Sequence, residues 1–312
     1  MHKAQRRISF LWSALVVAVT MLLVVFTADL IFGFNLSTPV VQLEEGLAQQ
    51  IVSPNAVLVR LGDGEILLDK AAEERIYPAS MTKIMTAIVA IENIEDMEEK
   101  VTLQPGIFEA LRAQSASMAG FLEGESVRAI DLLYCALLPS GAEACEGLAA
   151  LVAGSSEAFV ALMNAKAESI GMEDSYFSNT WGMHDRRTFT TAKDMAKLLV
   201  YALGNELFYD AVTCLRYSTA GTNLHPDGIT VRSTLFAGMS DNRIECPELL
   251  GGKTGYTSEA GLCLASFAEI DGETYILVTA GAKGSAKTEP FHILDAVRAY
   301  ANLAGLKDDM GL

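Results

Sequence analysis

Hydrophobic positions along this chain follow three patterns. At the start, Ile8 to Ala28 carries no charged residue, a stretch long enough to cross a bilayer as a helix of about 20 residues. Near both ends of the remainder the pattern reads as strand. Ala56 to Leu61 is rich in Val and Leu, Gly62-Asp63-Gly64 supplies a tight turn, and Glu65 to Asp69 returns, which predicts a hairpin. Leu250 to Thr257, Gly261 to Ile270 and Glu273 to Ala282 predict three more strands, the last two joined at Asp271-Gly272. Between them the spacing is helical. Helices are predicted from about Ala79 to Asn93 behind Pro78, over Asp131–Leu138 and Ala142–Ala153, over Glu157–Ile170 closed by Gly171, and over Thr191–Leu203. The last has a threonine cap and Asp194 in its first turn. Pro139-Ser140-Gly141 breaks two of these helices apart, residues 172–190 read as an ordered loop, and Glu289 to Leu303 closes the chain as a helix.

Strands at both ends with helices between predict an α+β fold, with one antiparallel sheet built from both chain ends, flanked by helices, and a mainly α-helical region inserted. The expected organisation is a cytoplasmic stub and membrane span over residues 1–34, a tether over 35–55, one catalytic domain over 56–305 and a tail over 306–312. His2, Lys3, Arg6 and Arg7 precede the apolar stretch, whereas Asp29, Glu44 and Glu45 follow it. That asymmetry places the N-terminus in the cytoplasm and the rest outside. Phe26 stands where a cleavage site wants a small residue, so the stretch is read as an uncleaved single-pass anchor in the cell membrane. Cleavage would instead release a secreted domain.

Charge and cysteine content narrow the chemistry. A formal net charge of −16 disfavours nucleic-acid binding, which depends on Lys and Arg against phosphate. The five cysteines, at 135, 145, 214, 246 and 263, form no Cys-x-x-Cys pair and read as small buried hydrophobes. The four histidines, His2, His184, His225 and His292, show no metal-ligand spacing, so no metal or other cofactor is expected. His184-Asp185 reads as a loop brace.

Two short motifs carry the candidate chemistry. Ser80 and Lys83 lie three apart at the start of a hydrophobic helix, so they share a face and the amine reaches the hydroxyl. Burial lowers a lysine pKa and makes it a base, activating the serine as a nucleophile. Far downstream, Lys253-Thr254-Gly255, followed by Tyr256, sits in a glycine-rich strand. Glycines there allow close approach, and a lysine with a threonine hydroxyl suits a substrate carboxylate. The strand pattern that follows excludes a phosphate-binding loop.

With Ser140 between them, these motifs resemble the penicillin-recognising serine enzymes. Within that group the chain is most similar to the low-molecular-mass D-alanyl-D-alanine carboxypeptidases. The likeness runs from Ala56 to Leu303 and includes Tyr77-Pro78-Ala79-Ser80-Met81-Thr82-Lys83, Met163-Asn164-Ala165-Lys166-Ala167, the loop through Asn179, Gly182 and His184-Asp185, and Gly252-Lys253-Thr254-Gly255-Tyr256-Thr257. It implies a β-lactamase/transpeptidase-like fold, a peptidoglycan stem peptide ending in D-Ala-D-Ala as substrate, and β-lactams as covalent inhibitors. It also implies site roles. Ser80 is acylated, Lys83 takes its proton, and Ser140 relays a proton to the departing amine. Lys253 and Thr254 hold the terminal carboxylate, and backbone N–H groups of Ser80 and Tyr256, beside Gly255, stabilise the oxyanion.

The chain departs from that pattern at Ala142, where the family has asparagine. Alanine cannot hydrogen-bond the substrate backbone or fix the lysine, and the helix phase of the neighbouring Glu143 is not set by the pattern. Two alternatives follow. A serine β-lactamase needs a carboxylate for deacylation in a Glu-x-x-Leu-Asn segment, and none is present. A penicillin-binding pseudoenzyme or sensor rests on Ala142 alone. Lys283 and Lys287 are further candidates to contact a carboxylate.

Overall fold

A computed structural model describes residues 45–310, with the exception of Ala286. The stub and membrane span expected over residues 1–34 lie outside the described residues. Among those described, no single helix is long and apolar enough to cross a membrane.

A five-stranded antiparallel sheet runs in the order β2-β1-β9-β8-β7, with β1 at Asn55–Arg60, β2 at Ile66–Lys70, β7 at Leu249–Thr257, β8 at Gly261–Ile270 and β9 at Glu273–Ala282. The first hairpin thus docks its β1 strand against β9, for instance Leu58 opposite Leu277. This is the expected sheet from both chain ends, and β7, which carries Lys253, is an edge strand. The β8–β9 hairpin turns at Asp271 and Gly272, with φ of 54° and 78°, the pair of positive φ values that a two-residue hairpin of matching twist demands.

One face of the sheet is covered by α1 (Glu45–Gln50), α9 (Thr234–Asp241) and α10 (Phe291–Met310). Leu58, Leu264, Leu277, Ile293, Ala296 and Tyr300 pack there, all nearly inaccessible. Residues 45–55, expected as part of a tether, are folded instead. Leu47 and Ile51 are 3% and 2% exposed in this cluster, and the amides of Val52 and Ser53 each donate to the carboxylate of Asp295 at 2.8 Å. Short polar runs hide such a segment from sequence reading, because its order comes from tertiary contacts. The closing helix likewise runs past Leu303 to Met310, through most of the stretch expected as a tail.

The opposite side carries the inserted region. Its central helix α2 (Thr82–Asn93) buries every residue from Thr82 to Ala90, and each large aliphatic so buried is worth about 1.5–3 kcal/mol. Around it lie α3 (Pro105–Ala113), α4 (Ala129–Leu137), α5 (Ala142–Ala153), α6 (Ser156–Ser169), α7 (Ala192–Leu203) and α8 (Glu206–Thr213). Gly154, at φ 73°, ends α5, while the Ser155 hydroxyl caps α6 by accepting from the Ala158 amide. Thr191 caps α7 through the Asp194 amide, as expected. The region is less uniformly helical than its pattern suggests. It holds two small antiparallel ribbons, β3 (Lys100–Thr102) with β4 (Ser126–Arg128) and β5 (Arg216–Ser218) with β6 (Thr230–Arg232). Three-residue strands are too short to show alternation.

Candidate active site

The nucleophile segment is a strained turn rather than the first turn of a regular helix. Pro78 leads into a 3₁₀ turn over Ala79–Met81, closed by the Met81 amide donating to the Pro78 carbonyl at 3.1 Å. Ala79 holds φ 47°, a left-handed conformation that costs a residue with a Cβ about 1 kcal/mol or more. The surrounding backbone fixes it. At Gly182, φ 84°, a Cβ would sit 1.8 Å from the Ala79 carbonyl oxygen, and one at Gly255 would sit 3.1 Å from the Ser80 nitrogen. The 178–185 loop and strand β7 therefore press bare backbone against either side of Ser80, which is the close approach the glycines were expected to allow.

Lys83 is 1% exposed. Its Nζ donates to Ser80 Oγ at 3.1 Å and to the Trp181 carbonyl at 2.6 Å. The loop that presents this carbonyl is braced by Asn179, whose Oδ1 accepts from the Gly182 amide at 2.7 Å and whose Nδ2 donates to the Met183 carbonyl at 2.9 Å. Burial lowers the Lys83 pKa, opposed by Cys145 and by the negative charge of Glu143. A lowered pKa raises the neutral fraction that can accept the serine proton.

Lys253, expected to hold the substrate carboxylate, is buried like Lys83. Its side chain is also 1% exposed, with Nζ donating to the Thr254 carbonyl at 2.9 Å. Burial and then the positive charge of Lys83 hold its pKa well below the usual range. The two lysines thus form a buried pair, each lowering the charge the site can hold. Thr254 is the half-buried member, its hydroxyl 2.6 Å from that of Thr234. The Thr234 amide in turn donates to the Leu138 carbonyl at 3.0 Å, linking β7 to the Ser140 turn. Tyr256 exposes its ring, at 41%.

Ser140 sits at φ 67°, 5% exposed, with a buried Oγ that has no hydrogen-bond partner among the described residues. A buried unpaired hydroxyl is costly, and those of Ser53, Thr82 and Thr279 share this state among the described residues. Ala142 is fully buried, and its amide donates to the Ser117 carbonyl at 2.8 Å. Glu143, whose phase the pattern left open, turns inward and is fully buried. Residues without a sequence signal also enter the site, namely Trp181 through its carbonyl and Thr234 through its hydroxyl.

Beside Trp181 opens a cleft of about 440 Å³, lined among others by Glu146, Ser178, Met183, His184 and Asp185. His184 and Asp185 do brace the loop. The His184 ring meets Tyr77 edge-on at 4.5 Å, and Asp185 pairs with Arg187 at 2.7 Å. Lys283 and Lys287 are exposed beyond β9. All five cysteines are free thiols, four of them buried. Among the described residues no cluster of His, Cys, Asp or Glu is arranged to hold a metal ion.

Residues 42–284 match the peptidase S11 family of D-alanyl-D-alanine carboxypeptidases. The chain belongs to this family. D-alanyl-D-alanine carboxypeptidase DacF of Bacillus subtilis is 32% identical over 236 residues, covering 73% of this chain and 57% of that protein. A D-alanyl-D-alanine carboxypeptidase of Streptomyces sp. K15 is 30% identical over 222 residues, covering 69% of this chain and 76% of the relative. The crystal structure of the Streptomyces K15 DD-transpeptidase superposes with a TM-score of 0.73 at 27% identity, covering 81% of this chain and 97% of that one. The β-lactamase/transpeptidase-like fold expected from the motifs is therefore the fold observed.

Proposed function

We propose that this chain is a serine D-Ala-D-Ala carboxypeptidase that removes the terminal D-alanine from peptidoglycan stem peptides. The observation that carries this reading is a buried lysine amine 3.1 Å from a serine hydroxyl, held there by the Trp181 carbonyl on a glycine-bearing loop.

Neutral Lys83 takes the Ser80 proton as Oγ attacks the carbonyl of the penultimate D-alanine. Backbone N–H groups of Ser80 and Tyr256 stabilise the developing oxyanion. Thr254 and Lys253 hold the terminal carboxylate, whose negative charge favours the protonated form of Lys253. Ser140, its Oγ unengaged, relays that proton from Lys83 to the departing D-alanine nitrogen, which leaves Lys83 neutral and Ser140 a hydroxyl. Water then attacks the acyl-Ser80 ester, releasing the shortened stem and restoring the hydroxyl. Ala142 removes one side-chain contact to the substrate but leaves these groups in place, which favours turnover over a trapping pseudoenzyme. β-Lactams, with a reactive carbonyl near a carboxylate, would acylate the same serine. The apolar stretch Ile8–Ala28 would anchor the domain on the outer side of the cell membrane.

The test is release of free D-alanine from a peptide ending in D-Ala-D-Ala. Release by the wild type that is lost in Ser80→Ala is expected. Absence of release from the wild type would overturn the reading.

A further inference from the structure

Glu143 stands one residue past the position where the family's asparagine is missing, and its carboxylate does something unusual for a buried acid. Oε1 accepts three consecutive backbone N–H groups, from Ala119 at 2.7 Å, Gly120 at 2.9 Å and Phe121 at 3.3 Å. The other oxygen, Oε2, is buried with no hydrogen-bond partner among the described residues. No Lys, Arg or His pairs with it there, in contrast to Glu125 at the far end of the same segment, whose Oε1 meets His225 Nδ1 at 2.9 Å.

Segment 117–121 lies directly on the Ser140 turn. The Ala142 amide donates to the Ser117 carbonyl, and the Gly141 amide donates to the Cys135 carbonyl at 2.9 Å. A Cβ on Gly141 would fall 2.8 Å from the Ala119 side chain. The left-handed Ser140 is thus held between a segment and a helix that one carboxylate ties together. The ionisable groups around this cluster are Lys83 on α2, Cys145 and Glu146 on α5, Cys135 on α4 with Asp131 and Glu125 next to it, and Lys253 on β7, which acts on Lys83 and Cys145. Burial raises the pKa of Glu143 itself, opposed by the amides that hold its carboxylate. Burial pushes the thiol of Cys145 up to about 12 and that of Cys135 well above its ordinary value, so both are neutral at working pH. Glu146 is occupied by the hydroxyls of Thr180 and Ser156. That leaves Glu143 as the carboxylate acting on Lys83.

We propose that Glu143 is a positioning residue for acylation, a single carboxylate that clamps segment 117–121 over the Ser140 turn and supplies buried negative charge to Lys83. The inference rests on Ser80 being the acylated residue.

The test is the pH dependence of penicillin acylation at Ser80, followed by intact mass, in wild type and Glu143→Gln, with thermal melting of each. Acylation rises with pH as Lys83 loses its proton. An anion acting on Lys83 favours the protonated form, so its removal moves that acid limb to lower pH, by up to about one unit. The clamp weakens too, so the rate on the plateau falls about tenfold. A packing role alone would leave the limb in place. A wild-type adduct with an unmoved limb in Glu143→Gln overturns the inference. No adduct on the wild type removes both the inference and the function it rests on. If Glu143→Gln does not fold, Glu143→Asp keeps the charge on a shorter arm. Slower acylation with the limb in place is then expected, and a wild-type rate overturns the clamp.

Discussion

The two faces of the sheet bury different polar groups. On the α10 face, polar groups within the apolar layer tie structure together. Ser266 and Tyr300 share a hydrogen bond at 2.9 Å, and Asp295 accepts the two amides that anchor the N-terminal segment. On the other side, two lysines are buried next to each other. Ser140 Oγ and Glu143 Oε2 have no partner among the described residues, and neither do Ser53 Oγ, Thr279 Oγ1 and His292 Nδ1 elsewhere, so the buried cations are what set this side apart. Burying charge without full pairing is unfavourable. The difference teaches that the seam between sheet and inserted helices trades stability for reactivity, while the α10 layer supplies the stability that tolerates it.

The comparison is most strongly tested at Lys83. Lys83→Met keeps the volume and removes the charge. Acylation by penicillin is expected to fall about 10³-fold, while the thermal midpoint holds or rises, because a buried cation has gone. A large loss of midpoint would place Lys83 with the structural groups. The mirror experiment is Leu277→Ala on the α10 face. It is expected to cost about 2–5 kcal/mol in denaturant unfolding, with acylation per folded molecule unchanged within about twofold.

His292, on α10, is 7% exposed with an Nδ1 that has no partner among the described residues, and burial, opposed by the charge of Asp295, lowers its pKa to about 4. The ring protonates near 6.5 once the chain unfolds but stays neutral in the folded chain down to about 4. Its contribution is therefore complete above pH 6.5, declines as pH falls, and is lost below about 4. Over that window roughly 3 kcal/mol at most is at stake, and His292→Gln should flatten the wild-type decline in melting temperature between pH 7 and 5. The smallest effect is expected at the link between the faces. Thr234→Val deletes the hydroxyl pair with Thr254 and should cost about 1 kcal/mol, seen as a several-fold rise in KM for the D-Ala-D-Ala peptide at nearly constant kcat.

What the sequence makes legible follows the length and regularity of each signal. The Ser80–Lys83 spacing, the break at Ser140 and the three long C-terminal strands are local patterns, and the observed strands match their expected residues closely. Helix α5 matches its expected bounds. The short elements were not legible. Helix α1 owes its order to Asp295 and the α10 layer, and α8 is eight residues long. In the site, the serine–lysine pair could be read from helix geometry. The burial of Lys253 could not, because the strand pattern does not report what packs above it. Nor could the inward turn of Glu143, since the three amides it binds lie more than twenty residues upstream.

The central claim is that Ser80 is a working nucleophile with Lys83 as its base. Intact-mass analysis of the purified protein after a short penicillin pulse, beside Ser80→Ala and with the free drug followed, tests it most directly. The account predicts one slowly decaying drug adduct on the wild type and none on Ser80→Ala. Intact drug with no adduct on the wild type would contradict it, and hydrolysed drug with no adduct would assign the site to a β-lactamase instead.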